Sequence, residues 1–226
     1  MRKQYHHGDL KNALIRAGAE LLASEGMTGL SLRKAAQRAG VSHSAPYAHF
    51  ADKQELVAAI STEGLQRVRE RIELAVRRHP RDPQAQLVEA AWAVVQFGLA
   101  HPDQYRVTFS NAIEREEDFP AYVATAHGGF EALVELVKAA QAAGVIDPGP
   151  PDIAALGLWS LVHGLIALLI GRQVPRRLRE TEVRELLLQV LGTRLRIPTT
   201  AGEGARPSRR GAAKRPARPA ARRPTR

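Results

Sequence analysis

Hydrophobic positions in this chain recur three and four apart, and nowhere do they alternate in the strict period of two that a half-buried strand requires. Leu10, Ala13, Leu14, Ala17 and Leu21 predict a first helix, with Asp9 as its N-cap and Gly26 as its stop. Leu32, Ala35, Ala36 and Ala39 mark one face of a second, short helix. Leu56, Ile60, Leu65, Val68 and Ile72 run along a long helix that ends before Pro80, opened by a variant capping box of Asp52 and Glu55. Asp82-Pro83 opens the next, with Leu87, Ala91, Val94, Val95 and Gly98 along it. A short helix runs from Pro102 to about residue 111, and a long one from Phe119-Pro120 to about Ala143, where Gly144 stops it. The Gly128-Gly129 pair is expected to bend the long one. A last helix over 180–196 has Val183, Leu186, Leu187, Val190, Leu191 and Leu195 on a broad face. The fold class is all-α.

Residues 153–170, IAALGLWSLVHGLIALLI, have no polar face at all. Eighteen residues without a formal charge lie at the lower edge for a membrane span, and the basic RQVPRRLR that follows would suit a cytoplasmic flank. A helix buried on several sides reads the same way. Ser160 and His163 in mid-segment and the narrow Gly157 and Gly164 favour that second reading, so the expectation is a buried helix and no membrane. A membrane-associated helical protein stays as the alternative. Two adjacent apolar helices at the end of a domain also suggest a surface that buries a partner.

Residues 31–50, SLRKAAQRAGVSHSAPYAHF, organise the chain. Ser31 is an N-cap for the second helix, and Gly40 supplies the left-handed residue that ends it. Ser42 reads as the next N-cap, with Tyr47 and Phe50 three apart and able to share a face. Small residues at 35, 36 and 39 let the second helix pack closely across the first. Two short helices joined by a tight glycine turn make a helix-turn-helix.

AGVS, then four residues, then Tyr47, His49-Phe50, Lys53 and Leu56 resembles the DNA-binding segment of the tetracycline-repressor-like (TetR) family of bacterial regulators. The resemblance reaches back through Tyr5-His6-His7-Gly8-Asp9-Leu10 and covers about residues 5–57. Trp159, Val162, His163 and Gly164 also resemble a Trp-x-x-x-His-Gly pattern of one branch of the family's C-terminal domains. The resemblance implies a three-helix DNA-binding domain over 1–50 and a helical effector-binding and dimerisation domain over 51–198. It further implies a homodimer paired through the last two large helices, a double-stranded DNA operator and an unknown small-molecule effector. The implied function is a transcriptional regulator, read as a repressor on a pseudo-palindromic operator that the effector releases, in the cytoplasm.

Charge is unevenly spread. The formal net charge of +10 conceals nine Lys or Arg against one acid in residues 199–226. Residues 1–50 carry seven basic and three acidic side chains, and the stretch between is mildly acidic. A DNA-facing N-terminus, a near-neutral body and a basic tail follow. The tail is Ala, Pro, Arg, Gly and Thr with almost no large apolar residue, and it cannot bury enough surface to offset the entropy of ordering, so it is expected to be disordered. The chain has no cysteine, which excludes disulfides and thiolate sites and suits a reducing compartment. MRKQYHHGDLKNAL lacks the apolar core of a secretion signal.

Chemistry follows from these patterns. A recognition helix sets its N-terminal residues against base edges, which here means His43, Ser44 and Ala45. Tyr47, His49 and Lys53 fall on the family's phosphate-contacting positions, with Ser31 and Ser42 adding hydroxyl or amide contacts. No Arg or Lys occurs in 42–50, so bidentate guanine readout is not expected from this helix. Pro46 removes an N–H and disturbs the helix start. Trp92, Phe97, Tyr105, Phe109, Phe130, Trp159 and His163 are candidates to line an effector site or, failing that, to be plain core. No cofactor, metal or catalytic residue is expected. His6, His7 and Asp9 lack a further ligand at helical spacing, and nothing around the acids of 114–118 would raise a pKa. A small-molecule-binding protein without a DNA role would explain the body but not the motif.

The tail yields a prediction. Lys and Arg near a duplex displace condensed counterions, which produces affinity indifferent to sequence and steep in salt. Deleting 199–226 is expected to leave thermal stability and the preferred site unchanged and to make the salt dependence of binding shallower. Titration against operator and random DNA at several salt concentrations checks this, and identical slopes would deny the tail an electrostatic role.

Overall fold

The computed structural model describes residues 7–109 and 113–195; the basic tail, Tyr5 and His6 lie outside them. The described residues form eight α-helices and no strand. These are α1 (His7–Gly29), α2 (Leu32–Ala39), α3 (Lys53–Arg77), α4 (Pro83–Ala100), α5 (Pro102–Thr108), α6 (Pro120–Ala142), α7 (Pro151–Ile170) and α8 (Val183–Leu191).

Caps explain most of the boundaries. Ser31 Oγ accepts the Lys34 N–H at 3.2 Å. At the other end of α2, Gly40 takes φ 69°, and the Val41 N–H reaches the Ala36 carbonyl at 3.0 Å, a bond available only because glycine adopts the left-handed conformation at no steric cost. Asp52 Oδ1 accepts the Glu55 N–H at 2.9 Å, and Glu55 Oε2 reaches back to the Ala51 N–H at 2.7 Å, which satisfies two donors that the start of α3 would otherwise leave open. Asp82 does the same for α4, accepting the Ala85 N–H at 2.9 Å.

Several expectations change. Helix α1 starts at His7, ahead of Asp9, so Asp9 is not at its N-cap. Gly26 (φ 67°, ψ −172°) breaks the run, yet one more turn follows to Gly29. No α-helix starts at Ser42. A short 3-10 turn over Ala45–Ala48 stands there instead. Pro46 has no N–H to close a bond to the Ser42 carbonyl, so the segment is held by the i→i−3 bonds Ala45 N to Ser42 O and Tyr47 N to Ser44 O. Tyr47 and Phe50 therefore point apart: Tyr47 is 62% exposed and Phe50 1%. Helix α6 passes through Gly128-Gly129 without interruption. Helix α8 covers less than 180–196 and gives way to turns up to Leu195.

Two hydrophobic clusters result. The first joins Leu14, Leu21 and Leu22 of α1 to Leu32 and Ala35 of α2, Phe50, and Leu56, Val57 and Ile60 of α3, and takes in Val107 and Tyr122 from α5 and α6. The second collects Val68 of α3, Val95 and Phe97 of α4, Val137 of α6, Leu158, Val162 and Ile166 of α7 and Leu187 and Leu191 of α8. Helix α3 enters both. Between them lie Ser61, Gln104 and Thr108, buried polar residues at the contact of α3 with α5.

Helix α7 is not buried on all sides. Ala155, Leu158, Val162, Leu165 and Ile166 are covered, while Ile153, Leu156 and Leu168 stand open at 65%, 53% and 42% exposure. In a single chain α4, α6 and α8 cover only part of its circumference.

The approach of α4 to α7 is close at Gly98. A Cβ there would lie 2.7 Å from Ile166 Cγ2 and 3.3 Å from Tyr105 Cδ2. Gly98→Ala is expected to destabilise the protein by about 1–3 kcal/mol through overpacking, read as a lower denaturation midpoint. An unchanged midpoint would mean that α4 and α7 can separate freely.

Candidate nucleic-acid interface and the cavity behind it

The turn that replaces the expected recognition helix presents a short row to solvent. Ser42, His43, Ser44 and Tyr47 are exposed and Ala45 is half-buried. Ser42 Oγ and Ser44 Oγ lie 3.2 Å apart, so one hydroxyl orients the other. Ser31 is half-buried and its hydroxyl caps α2.

Two candidates are committed elsewhere. Lys53 Nζ donates to the Met27 carbonyl at 2.7 Å, tying the start of α3 to the last turn of α1. His49 has its Nε2 buried with no hydrogen-bond partner among the described residues, so that nitrogen does not face a phosphate. One cation was not singled out from the sequence. Arg33, in the first turn of α2, is exposed and forms no ion pair with a described residue. Its signal was the basic Arg33-Lys34 pair right after the N-cap; its neighbour Lys34 is taken by Glu25 at 2.5 Å.

Behind this unit a cavity of about 180 Å³ opens among α3, α4, α6, α7 and the end of α8. Its wall is apolar for the most part, from residues such as Leu65, Val68, Ile72, Val94 and Leu133. Phe109, Trp159 and His163 line it. Trp159 and His163, one turn apart, stack at 4.9 Å and 17°, and Tyr105 stacks on His163 at 5.6 Å and 22°. Phe109 stands edge-on to His163 at 4.6 Å, and Phe130 packs on Trp159 at 5.6 Å.

The Tyr105 hydroxyl lies 2.6 Å from His163 Nδ1. A phenol is the stronger donor and an imidazole nitrogen the stronger acceptor of the two, so the hydroxyl donates and Nδ1 accepts, which leaves the proton of the neutral imidazole on Nε2. Burial lowers the His163 pKa to about 4 and raises that of Tyr105 above the ordinary phenol range. Both are neutral at pH 7. Arg69 and Glu73 reach the cavity as a pair at 2.8 Å.

Four aromatic candidates do not line this cavity: Tyr105 and Phe130 pack behind the lining rings, and Phe97 and Trp92 lie elsewhere. Phe97 is fully buried in the core. Trp92 sits in an outer groove, where the Arg184 guanidinium lies 5.4 Å from its ring centroid and pairs with Glu89. Spacing places both on α4 but does not say which side of α4 the cavity lies on.

Comparison with known proteins agrees with this arrangement. A model described as bacterial regulatory proteins, tetR family, matches residues 14–60, and a tetracycline-repressor-like C-terminal domain model matches residues 87–192. A structure of a protein of unknown function from Rhodococcus sp. RHA1 is 32% identical, with TM-score 0.74, over 85% of this chain and 96% of that one. The chain belongs to the TetR family. It is a DNA-binding transcriptional regulator. At the level of fold it also resembles a TetR-family regulatory protein from Rhodococcus RHA1 (22% identity, TM-score 0.64, 81% of this chain and 94% of that one). The same holds for the TetR-family regulator PfmR from Thermus thermophilus (19%, 0.63, 82% and 98%). No curated protein matches the sequence.

In this TetR-family chain the neutral His163 has a consequence for stability. Its folded pKa of about 4 lies below the value of about 6.5 in an unfolded chain. Between those values the unfolded state binds a proton that the folded state does not, so stability rises with pH. The contribution is fully present above about pH 6.5 and is lost as the pH falls towards 4. His163→Phe is expected to flatten this part of the profile, and denaturant titrations at several pH values between about 4 and 7 check it.

Proposed function

We propose that this protein is a repressor that binds a pseudo-palindromic operator as a homodimer and leaves it when a small molecule occupies the cavity among α3, α4, α6 and α7. The observation that carries the reading is the double membership of α3. Its first turns hold Leu56, Val57 and Ile60 in the cluster beneath the recognition turn, while Leu65, Val68 and Ile72 form part of the cavity wall. One rigid helix thus joins the two proposed sites.

The division of labour is DNA binding over 1–50, effector binding and dimerisation over 51–198, and a basic tail over 199–226, in a cytoplasmic protein without catalytic activity. His43, Ser44 and Ala45 read base edges, with Ser42 beside them, and Tyr47 takes a phosphate. Ser31, His49 and Lys53 act mainly by positioning this turn. Phe109, Trp159 and His163 contact the effector, with Tyr105 and Phe130 behind them. The open row Ile153, Leu156 and Leu168 on α7 supports pairing of two copies, since apolar area of this kind is stabilised by burial. A turn with four exposed polar side chains reads few bases, and two-fold repetition supplies the missing discrimination.

Genome-wide footprinting followed by gel shifts tests the reading. Light scattering is expected to return twice the 24.7 kDa chain mass. Tyr47→Ala is expected to weaken binding to every sequence, and His43→Ala to alter base preference by about 1 kcal/mol or more at one position per half-site. A monomer at micromolar concentration, or His43→Ala with an unchanged sequence preference, would count against it.

A further inference from the structure

The effector reading leaves the chemistry of the ligand open, and the cavity carries that question further. Four observations bear on it. The space is about 180 Å³. An apolar cavity of roughly 150 Å³ holds a benzene ring, so a single ring with a small substituent fits here and a long acyl chain does not. The wall includes the flat rings of Trp159 and His163, stacked at 4.9 Å, with Phe109 edge-on, surfaces that suit the face and edge of another aromatic ring.

The polar content is small and specific. Tyr105 occupies His163 Nδ1, so the remaining polar function of the imidazole is its Nε2–H, which has no hydrogen-bond partner among the described residues. Thr125 contributes a hydroxyl to the lining, but that oxygen already donates to the Ala121 carbonyl at 2.7 Å. The unmatched group is therefore a donor, and the ligand must bring an acceptor.

Formal charge is not balanced. Arg69 reaches Glu73 through Nε at 2.8 Å, and Glu73 also binds Arg77 at 3.1 Å, so two guanidinium groups share one carboxylate. His163 is neutral, because burial holds its pKa at about 4. A cationic ligand would lose hydration without an uncommitted counter-charge to meet it.

We propose that the cavity takes a compact, non-cationic aromatic molecule bearing a hydrogen-bond acceptor, which His163 Nε2 recognises. This rests on the reading of the cavity as a ligand site, and the test separates the two. The full chain carrying Trp92→Phe leaves Trp159 as the only tryptophan and reports from the cavity wall. Four probes are titrated without DNA: acetophenone, ethylbenzene, benzylammonium and decanoate.

Acetophenone is expected to change Trp159 emission saturably, with ethylbenzene about fivefold weaker for want of the acceptor. Benzylammonium is expected to be weaker by about a hundredfold or more, and decanoate to leave acetophenone binding undisturbed. In Trp92→Phe/His163→Phe the preference of acetophenone over ethylbenzene is expected to vanish while ethylbenzene still binds. Benzylammonium or decanoate binding as tightly as acetophenone, a preference that survives His163→Phe, or no binding by any probe would each overturn the proposal. The four-probe comparison in the His163 protein decides the matter even where His163→Phe fails to fold. Ligands that bind in this order without releasing DNA would count against the effector reading and leave the ligand class standing; release by long acyl chains alone would do the reverse.

Discussion

Everything in this molecule depends on α3 being one unbroken helix. At 25 residues and about 1.5 Å per residue it spans on the order of 37 Å, long enough to enter both hydrophobic clusters. Its N-terminus is fixed three ways: by the Asp52 carboxylate, by Glu55 reaching back to Ala51, and by Lys53 on the Met27 carbonyl. The recognition turn ends directly before this cap, so the direction of α3 sets the direction of the turn. The layer between the clusters is built differently. Gln104 and Thr108 meet there at Gly64, where a Cβ would lie 2.5 Å from Thr108 Oγ1, and Ser61 is buried one turn earlier on α3. Burial of polar groups contributes less than burial of hydrocarbon, so the two clusters hold each other less firmly than each holds itself.

The cavity side of α3 is organised by aromatic rings rather than by charge. Tyr105 comes from α5 and Trp159 and His163 from α7, and the 2.6 Å hydrogen bond between Tyr105 and His163 joins the two helices in an otherwise apolar region. A bond of this kind is strong where the dielectric is low, and it also selects the imidazole tautomer. The same residues thus hold α5 against α7 and give the cavity a directed polar group. Core and binding functions do not separate here, because a cavity wall in a helical body is core on its other side.

The DNA side is economical. A proline in the first turn converts the start of the recognition segment into 3-10 geometry, with few side chains available and none of them Arg or Lys. The exposed groups are two serines, a histidine and a tyrosine. In the proposed reading, cationic attraction comes from outside the turn, from Arg33 on α2 and from the chain ends, where the sequence concentrates its basic residues. Such an arrangement divides positioning from readout, with phosphate attraction distributed and base contact kept small.

How much of this was legible in the sequence depends on the range of the interaction. Ser31 before α2, Gly40 after it, Asp52 with Glu55, and Asp82-Pro83 act within five residues of themselves, and those elements appear where spacing and capping chemistry place them. The motif of residues 31–57 was legible for the same reason, and the family followed from it. Other features belong to contacts far apart in the chain. That Lys53 is tied to Met27, that His49 turns a nitrogen inward, and that Phe97 faces core while Phe109 faces a cavity are decided by which helices pass one another. Helical spacing alone leaves the azimuth of α4 and the covering of α7 undetermined. Pro46 lies between the two cases. Its lack of an N–H was plain in the sequence, but its outcome, a 3-10 turn with Tyr47 outward and Phe50 buried, required the hydrophobic cluster beneath it, which claims one ring and leaves the other in water.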